Sequence, residues 1–219
     1  MSHDPDALDP VSLSALLASR LCHDLINPVG ALGSGLEVLD DASMDQSMRD
    51  AALDLIRSSG HKSIALLKYA RLAYGAAGGF GAQLPMEEAE AVLRDVYNWS
   101  KAELDWKVGP GLAPKEHVKA LLILAHAAAD CVPRGGTVSV TGEEGRFRIE
   151  AQGQRLILQD DLVKALGGDA EELKPKFAPA FVAGLLVRSA DGVVDAVIED
   201  EKLVMRAIFG VKAGIAGAC

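Results

Sequence analysis

The sequence predicts an α+β protein in two parts, a long helical hairpin followed by a mixed α/β sandwich. Three observations carry this reading. Apolar residues recur every three or four positions from Val11 to about Leu39, and again from Met48 to about Tyr74. A small-residue, glycine-rich stretch, GAAGGFGAQLP, then interrupts the pattern. Beyond it, helical and strand-like segments alternate. The boundary falls near residue 80, which assigns 1–78 to the hairpin and 79–219 to the second domain.

In the first helix the apolar positions are Leu13, Leu17, Leu21, Leu25, Val29, Leu32, Leu36 and Leu39. A helix of about 29 residues is roughly 43 Å long at 1.5 Å per residue, and such a length needs a bundle to cover its stripe. A break at DDASMD precedes the second helix, whose face carries Met48, Ala52, Leu55, Ser59, Leu66, Ala70 and Ala73. Two helices leave part of each stripe uncovered. A second copy completes a four-helix bundle, so a homodimer is expected.

The second domain reads as a helix near Met86 to Lys101, a strand near Leu104 to Val108, and a helix opened by Pro114 and running to Cys131. Thr137 to Thr141 and Phe147 to Ala151 form a hairpin across GEEG. Helices near Gln159 to Leu166 and Phe177 to Ala190 follow. A last hairpin joins Val193 to Ile198 with Leu203 to Phe209 through IEDEK.

Composition narrows the function. With 49% hydrophobic residues in 219, the chain can bury a proper core. A net charge of -9, from 31 acids against 22 bases, opposes a phosphate backbone, so nucleic acid is not an expected partner. Three scattered cysteines, Cys22, Cys131 and Cys219, fit a reducing compartment. The polar, acidic start MSHDPDALDP and the lack of a membrane-spanning apolar run predict a cytoplasmic protein without membrane contact.

The chemistry concentrates around His23. It stands two residues from both Leu21 and Leu25, which turns it about 200° from the apolar stripe and toward solvent. Asp24 adjoins it, and Asn27 lies one turn on along the same face, so an imidazole nucleophile has a carboxylate and an amide within reach. Pro28 interrupts the helix at a cost on the order of 3 kcal/mol. Gly30, Gly33, Ser34 and Gly35 then leave the next turns nearly bare, which suits either close helix packing or a docking partner. Of the other histidines, His126 is expected to pack in an apolar helix, while His61 and His117 lie among polar neighbours. Trp99 and Trp106 are expected in the core or at a subdomain interface.

The string His23-Asp24-Leu25-Ile26-Asn27-Pro28 resembles the H-box of sensor histidine kinases, although Ile26 replaces that family's basic residue. The order of hairpin and α/β domain is similar as well. The resemblance implies phosphorylation at His23, with Asp24 orienting or deprotonating the imidazole and Asn27 assisting. The family's ATP site is not matched. Ile123 and Ala127 stand where it has magnesium-binding asparagines, Ala151-Gln152-Gly153-Gln154-Arg155 where it has Asp-x-Gly-x-Gly, and Phe177-Ala178-Pro179-Ala180-Phe181 where it has a phosphate loop. A lone Gly184 does not cradle a triphosphate.

A kinase-like hairpin with a degenerate ATPase-like domain resembles the ChpT-type histidine phosphotransferases. The likeness runs through RLCHDLINPVGALGSGLEVLDD, MRDAALDLIRSSGHKSIALLKYARLAYGA, Leu104-Asp105-Trp106 and GRF. It implies a homodimer that accepts phosphate on His23 from the receiver domain of a hybrid histidine kinase. The group then passes to response regulators, in cell-cycle-type signalling. No cofactor is expected on this chain, since the receiver brings its own Mg²⁺. Docking is expected around Ser19, Arg20, Ile26, Pro28 and Gly30. Two other readings stand beside this one: an ATP-dependent kinase with an unusual nucleotide site, and a dimeric scaffold that binds regulators without chemistry.

Overall fold

The computed structural model describes residues 8–75 and 83–210. Most of the predicted linker, and with it the 78/79 boundary, lies outside the described residues, as does Cys219. Helix α1 spans Pro10–Asp40 and α2 spans Gln46–Ala73, packed as a hairpin. Asp9 caps α1, its carboxylate accepting from the backbone N–H groups of Val11 and Ser12 at 2.9 and 3.0 Å, with Pro10 in the first turn. Asp45 caps α2 in the same way through Met48 N–H at 2.9 Å. The helix continues through Pro28, which is buried.

Only part of each predicted stripe is covered within the hairpin. Leu21, Leu25 and Leu32 are half-buried, whereas Val29, Leu36, Met48 and Leu55 remain exposed. The glycines divide as well. Gly35 packs so closely on α2 that a Cβ there would lie 2.6 Å from the Ile56 side chain, while Gly30 and Gly33 face open space.

The second domain begins with β1 (Gln83–Pro85) and α3 (Met86–Tyr97), then β2 (Ala102–Trp106), β3 (Leu112–Pro114) and α4 (Lys115–Asp130). It continues with β4 (Gly136–Glu143), β5 (Arg146–Gly153), α5 (Asp160–Gly167), α6 (Ala178–Ser189), β6 (Val193–Glu199) and β7 (Lys202–Ile208). A 3₁₀ turn over Pro175–Phe177 leads into α6. Five strands form one sheet in the order β2-β4-β5-β7-β6, with β2 and β4 parallel and the other pairs antiparallel. The small antiparallel pair β1-β3, which sets Leu84 opposite Ala113, is not expected from the sequence, because three-residue strands ending in proline carry no readable alternation. Helix α3 stops at Tyr97, before the predicted Lys101.

Helix α4 is the centre of the molecule. Leu121, Leu122, Ile123 and Leu124 are consecutive and all buried, so it has no solvent face in that stretch. The sheet covers one side of it, and α2, α3 and α6 cover the others. Tyr69, Leu72 and Ala73 of α2 join the same core, which ties the foot of the hairpin to the second domain. The outer sheet face is polar: Arg148 bonds Glu150 at 2.7 Å and Glu199 at 3.0 Å, and Arg206 also pairs with Glu199. Among the described residues, no helix is long and apolar enough to cross a membrane.

Gly184 has a packing role here. A Cβ would lie 2.2 Å from the Leu166 carbonyl oxygen, which also accepts a 2.6 Å bond from Arg188 Nη1. Gly184→Ala gains about 1 kcal/mol of helix propensity, but the overpacking costs about 1–3 kcal/mol. The expected net result is a lower denaturation midpoint in urea. Burial, reinforced by Asp130, pushes the Cys131 thiol up to about 12. Alkylation at about pH 8 should therefore label exposed Cys22 in the native protein and reach Cys131 only on unfolding, as read by peptide mass mapping.

Candidate functional site

The site forms where the hairpin meets the end of α4. His23 projects from α1 with 76% of its side chain exposed, as its offset from the apolar stripe predicts. Its Nδ1 lies 3.2 Å from Asp24 Oδ1. A carboxylate oxygen accepts, so this contact places the imidazole proton on Nδ1 and leaves the Nε2 lone pair outward. The other oxygen of Asp24 accepts from Arg20 Nε at 2.8 Å, one turn back along the helix.

Arg20 does not point to solvent. Its side chain is 16% exposed, and Nη2 lies 3.6 Å from Asp130 Oδ2 at the end of α4. Burial works against its charge, but Asp24 and Asp130 hold the guanidinium above its ordinary value. His126, one turn before Asp130, lies beneath this cluster with its ring centroid 4.6 Å from that of Tyr69. Burial lowers its pKa, so it is a neutral packing residue, as expected.

A groove of about 380 Å³ runs beside His23. Asn27 lines it together with Lys62 of α2 and with Trp99, Ser100 and Lys101 after α3. These last four were not among the predicted site residues, since nothing local to them marks a site. Trp99 stands partly exposed at this groove, between the hairpin and the second domain, which is the interface rather than the core of its two expected places. A second recess joins Ser19, Arg20 and His23 to Asp130 and Lys176. Ile26 is exposed, and Gly30 faces open space. Pro28 is buried and contributes to the floor of the groove rather than to an exposed flank. His117 departs from its polar sequence surroundings: it stacks on Phe209 with ring centroids 3.8 Å apart.

Two of the positions compared with a nucleotide site, Ile123 and Ala127, are apolar and lie together in space. Ile123 is buried, and with Ala127, Ile157, Leu162, Phe177 and Pro179 it walls a cavity of about 190 Å³. These side chains carry no oxygen ligand for magnesium. Gly153, kept where the adenine-binding motif would stand, serves packing: a Cβ there would lie 2.5 Å from the Gly135 carbonyl oxygen.

Comparisons with known proteins identify the family and the fold. Residues 86–202 match the family model of the histidine phosphotransferase C-terminal domain. The chain is 37% identical over 172 residues to the protein phosphotransferase ChpT of Brucella abortus (strain 2308), covering 77% of this chain and 80% of the relative. A solved bacterial phosphotransferase superposes with a TM-score of 0.81 at 32% identity, over 93% of this chain and 98% of that one. A match over more than half of the chain and a relative of this identity make it a member of the ChpT-type histidine phosphotransferase family.

Proposed function

We propose that this protein is a histidine phosphotransferase of a phosphorelay, with His23 as the phosphoryl carrier. The observation that supports this best is the exposed imidazole whose Nδ1 is engaged by Asp24, so that Nε2 faces a partner. Nε2 attacks the phosphorus of an aspartyl phosphate on a receiver domain. The N–P bond forms as the P–O bond breaks, and the receiver aspartate leaves as a carboxylate. Asp24 holds the Nδ1 proton while the ring carries positive charge, and Asn27 hydrogen-bonds the phosphoryl oxygens. In the reverse sense, an aspartate on a second receiver attacks the phosphohistidine and regenerates the neutral imidazole. Positioning carries most of this catalysis, as is general in phosphoryl transfer.

In this reading the receivers belong to a hybrid histidine kinase and to response regulators of a cell-cycle-type pathway, and they supply the Mg²⁺. The second domain binds no nucleotide, and the apolar lining at Ile123 and Ala127 supports that. Docking uses the His23 groove and the bare flank near Ile26 and Gly30. The protein works as a cytoplasmic homodimer. Exposed Val29 with Leu36, and Met48 with Leu55, support a four-helix bundle, since each pair is seven residues apart and falls on one helix face.

The test is label transfer from a phosphorylated receiver with Mg²⁺, run beside a lane with ATP alone. Label is expected on the wild type but not on His23→Ala, none is expected from ATP, and Asp24→Asn should slow transfer about a hundredfold. Labelling from ATP would make the protein a kinase, and no label anywhere would leave a scaffold. For the bundle, a Leu36→Glu, Leu55→Glu double variant should run with the mass of one chain in light scattering. A dimer that survives both charges would overturn the bundle.

A further inference from the structure

Asp24 is engaged on both oxygens by its own helix, by His23 and by Arg20, and Arg20 is in turn held from the other domain. An exposed ion pair one turn apart on a helix is weak, because both side chains keep rotamer freedom. Arg20 is not in that situation. Its Nε meets Asp24 at 2.8 Å and its Nη2 lies 3.6 Å from Asp130, so the planar guanidinium addresses two carboxylates at once. Asp130 is the last residue of α4, where the helix dipole adds further negative potential for a cation. The site is also walled: Tyr69 of α2, Tyr74 at its C-terminal cap, His126 of α4 and Lys176 line the same cavity as Arg20. The aromatic groups there stay neutral, since burial raises the two phenols and lowers the imidazole.

We propose that Asp130 is a positioning residue for phosphotransfer, acting through Arg20 and Asp24 to hold the His23 imidazole with its proton on Nδ1. This rests on the reading of His23 as the phosphoryl carrier. It gives the second domain a task at the reacting histidine that needs no nucleotide. The free imidazole prefers its proton on Nε2, the atom that has to attack. Asp24 reverses the preference only while its carboxylate stays turned toward Nδ1, and Arg20 fixes that orientation. Without Asp130, Arg20 loses its anchor at the α4 end and Asp24 is free to rotate.

The experiment compares wild type with Asp130→Asn, Asp130→Glu and Arg20→Lys, each labelled with ¹⁵N-histidine. At about pH 8 the ring ¹⁵N shifts of His23 report which nitrogen carries the proton. Wild type is expected to show an unprotonated Nε2. Asp130→Asn and Arg20→Lys should show mixed tautomers. Single-turnover transfer at saturating phosphoreceiver should fall on the order of tenfold, as when an outer orienting partner is lost at other sites, with unchanged half-saturating concentration. Asp130→Glu should restore both readouts. An unchanged tautomer in Asp130→Asn would overturn the proposal, even if transfer slowed, because slowing alone is what loosened domain packing would produce. If wild type takes no label on His23, the carrier reading falls instead, and the tautomer comparison still judges the tether.

Discussion

Burial of the hairpin foot in the second domain is the constraint on which the site depends. Tyr69, Leu72 and Ala73 of α2 lie in one continuous core with Leu93 of α3 and Val118 and Leu122 of α4. Hydrophobic burial has no direction of its own, but these side chains come from two units and interlock at interior density. The end of α4 is thereby brought up to the middle of α1, at Arg20. Electrostatics then completes locally what packing sets globally. Had the foot of α2 been polar, Asp130 and Arg20 would belong to separate bodies.

The apolar surface that α4 presents at Ile123 and Ala127 follows from the same packing. A magnesium-nucleotide pocket needs oxygen donors on α4 and an open mouth. Here the corresponding surface of α4 carries Ile123 and Ala127, and the turn leading into α6 brings Phe177 against them. The small cavity there is lined by these apolar groups together with Arg20, His126, Asp130, Gln159 and Lys176. The scaffold is kept because α4, α6 and the sheet still bury each other's apolar faces, whatever the pocket holds.

Much of this was legible in the sequence, and the reasons differ by element. The two hairpin helices are long and strongly periodic, so their ends fell within a residue or two of expectation. The exposure of His23 followed from its angular offset alone. The β1-β3 pair escaped because it is short and bounded by Pro85 and Pro114. The stacking of His117 was not legible because its sequence neighbours include Glu116 and Lys119, whereas its spatial neighbour Phe209 arrives from β7's end. The Arg20–Asp130 contact had no signal at all, since it joins distant segments and leaves no period or motif behind. Lys62 had no signal at the groove for the same reason.

On the docking proposed above, the bare flank at Gly30 bears on how long a partner stays. A Cβ at Gly30 would meet no neighbour in the structure, and glycine has no rotamer to freeze when a surface is laid on it. A protein landing there gains backbone contact at little entropic cost but finds few deep anchors, since anchor residues are mostly aromatic or arginine. Such a surface favours quick arrival and quick departure over tenacity. For a carrier that has to hand its cargo on, turnover is limited by how soon one visitor leaves and the next can land.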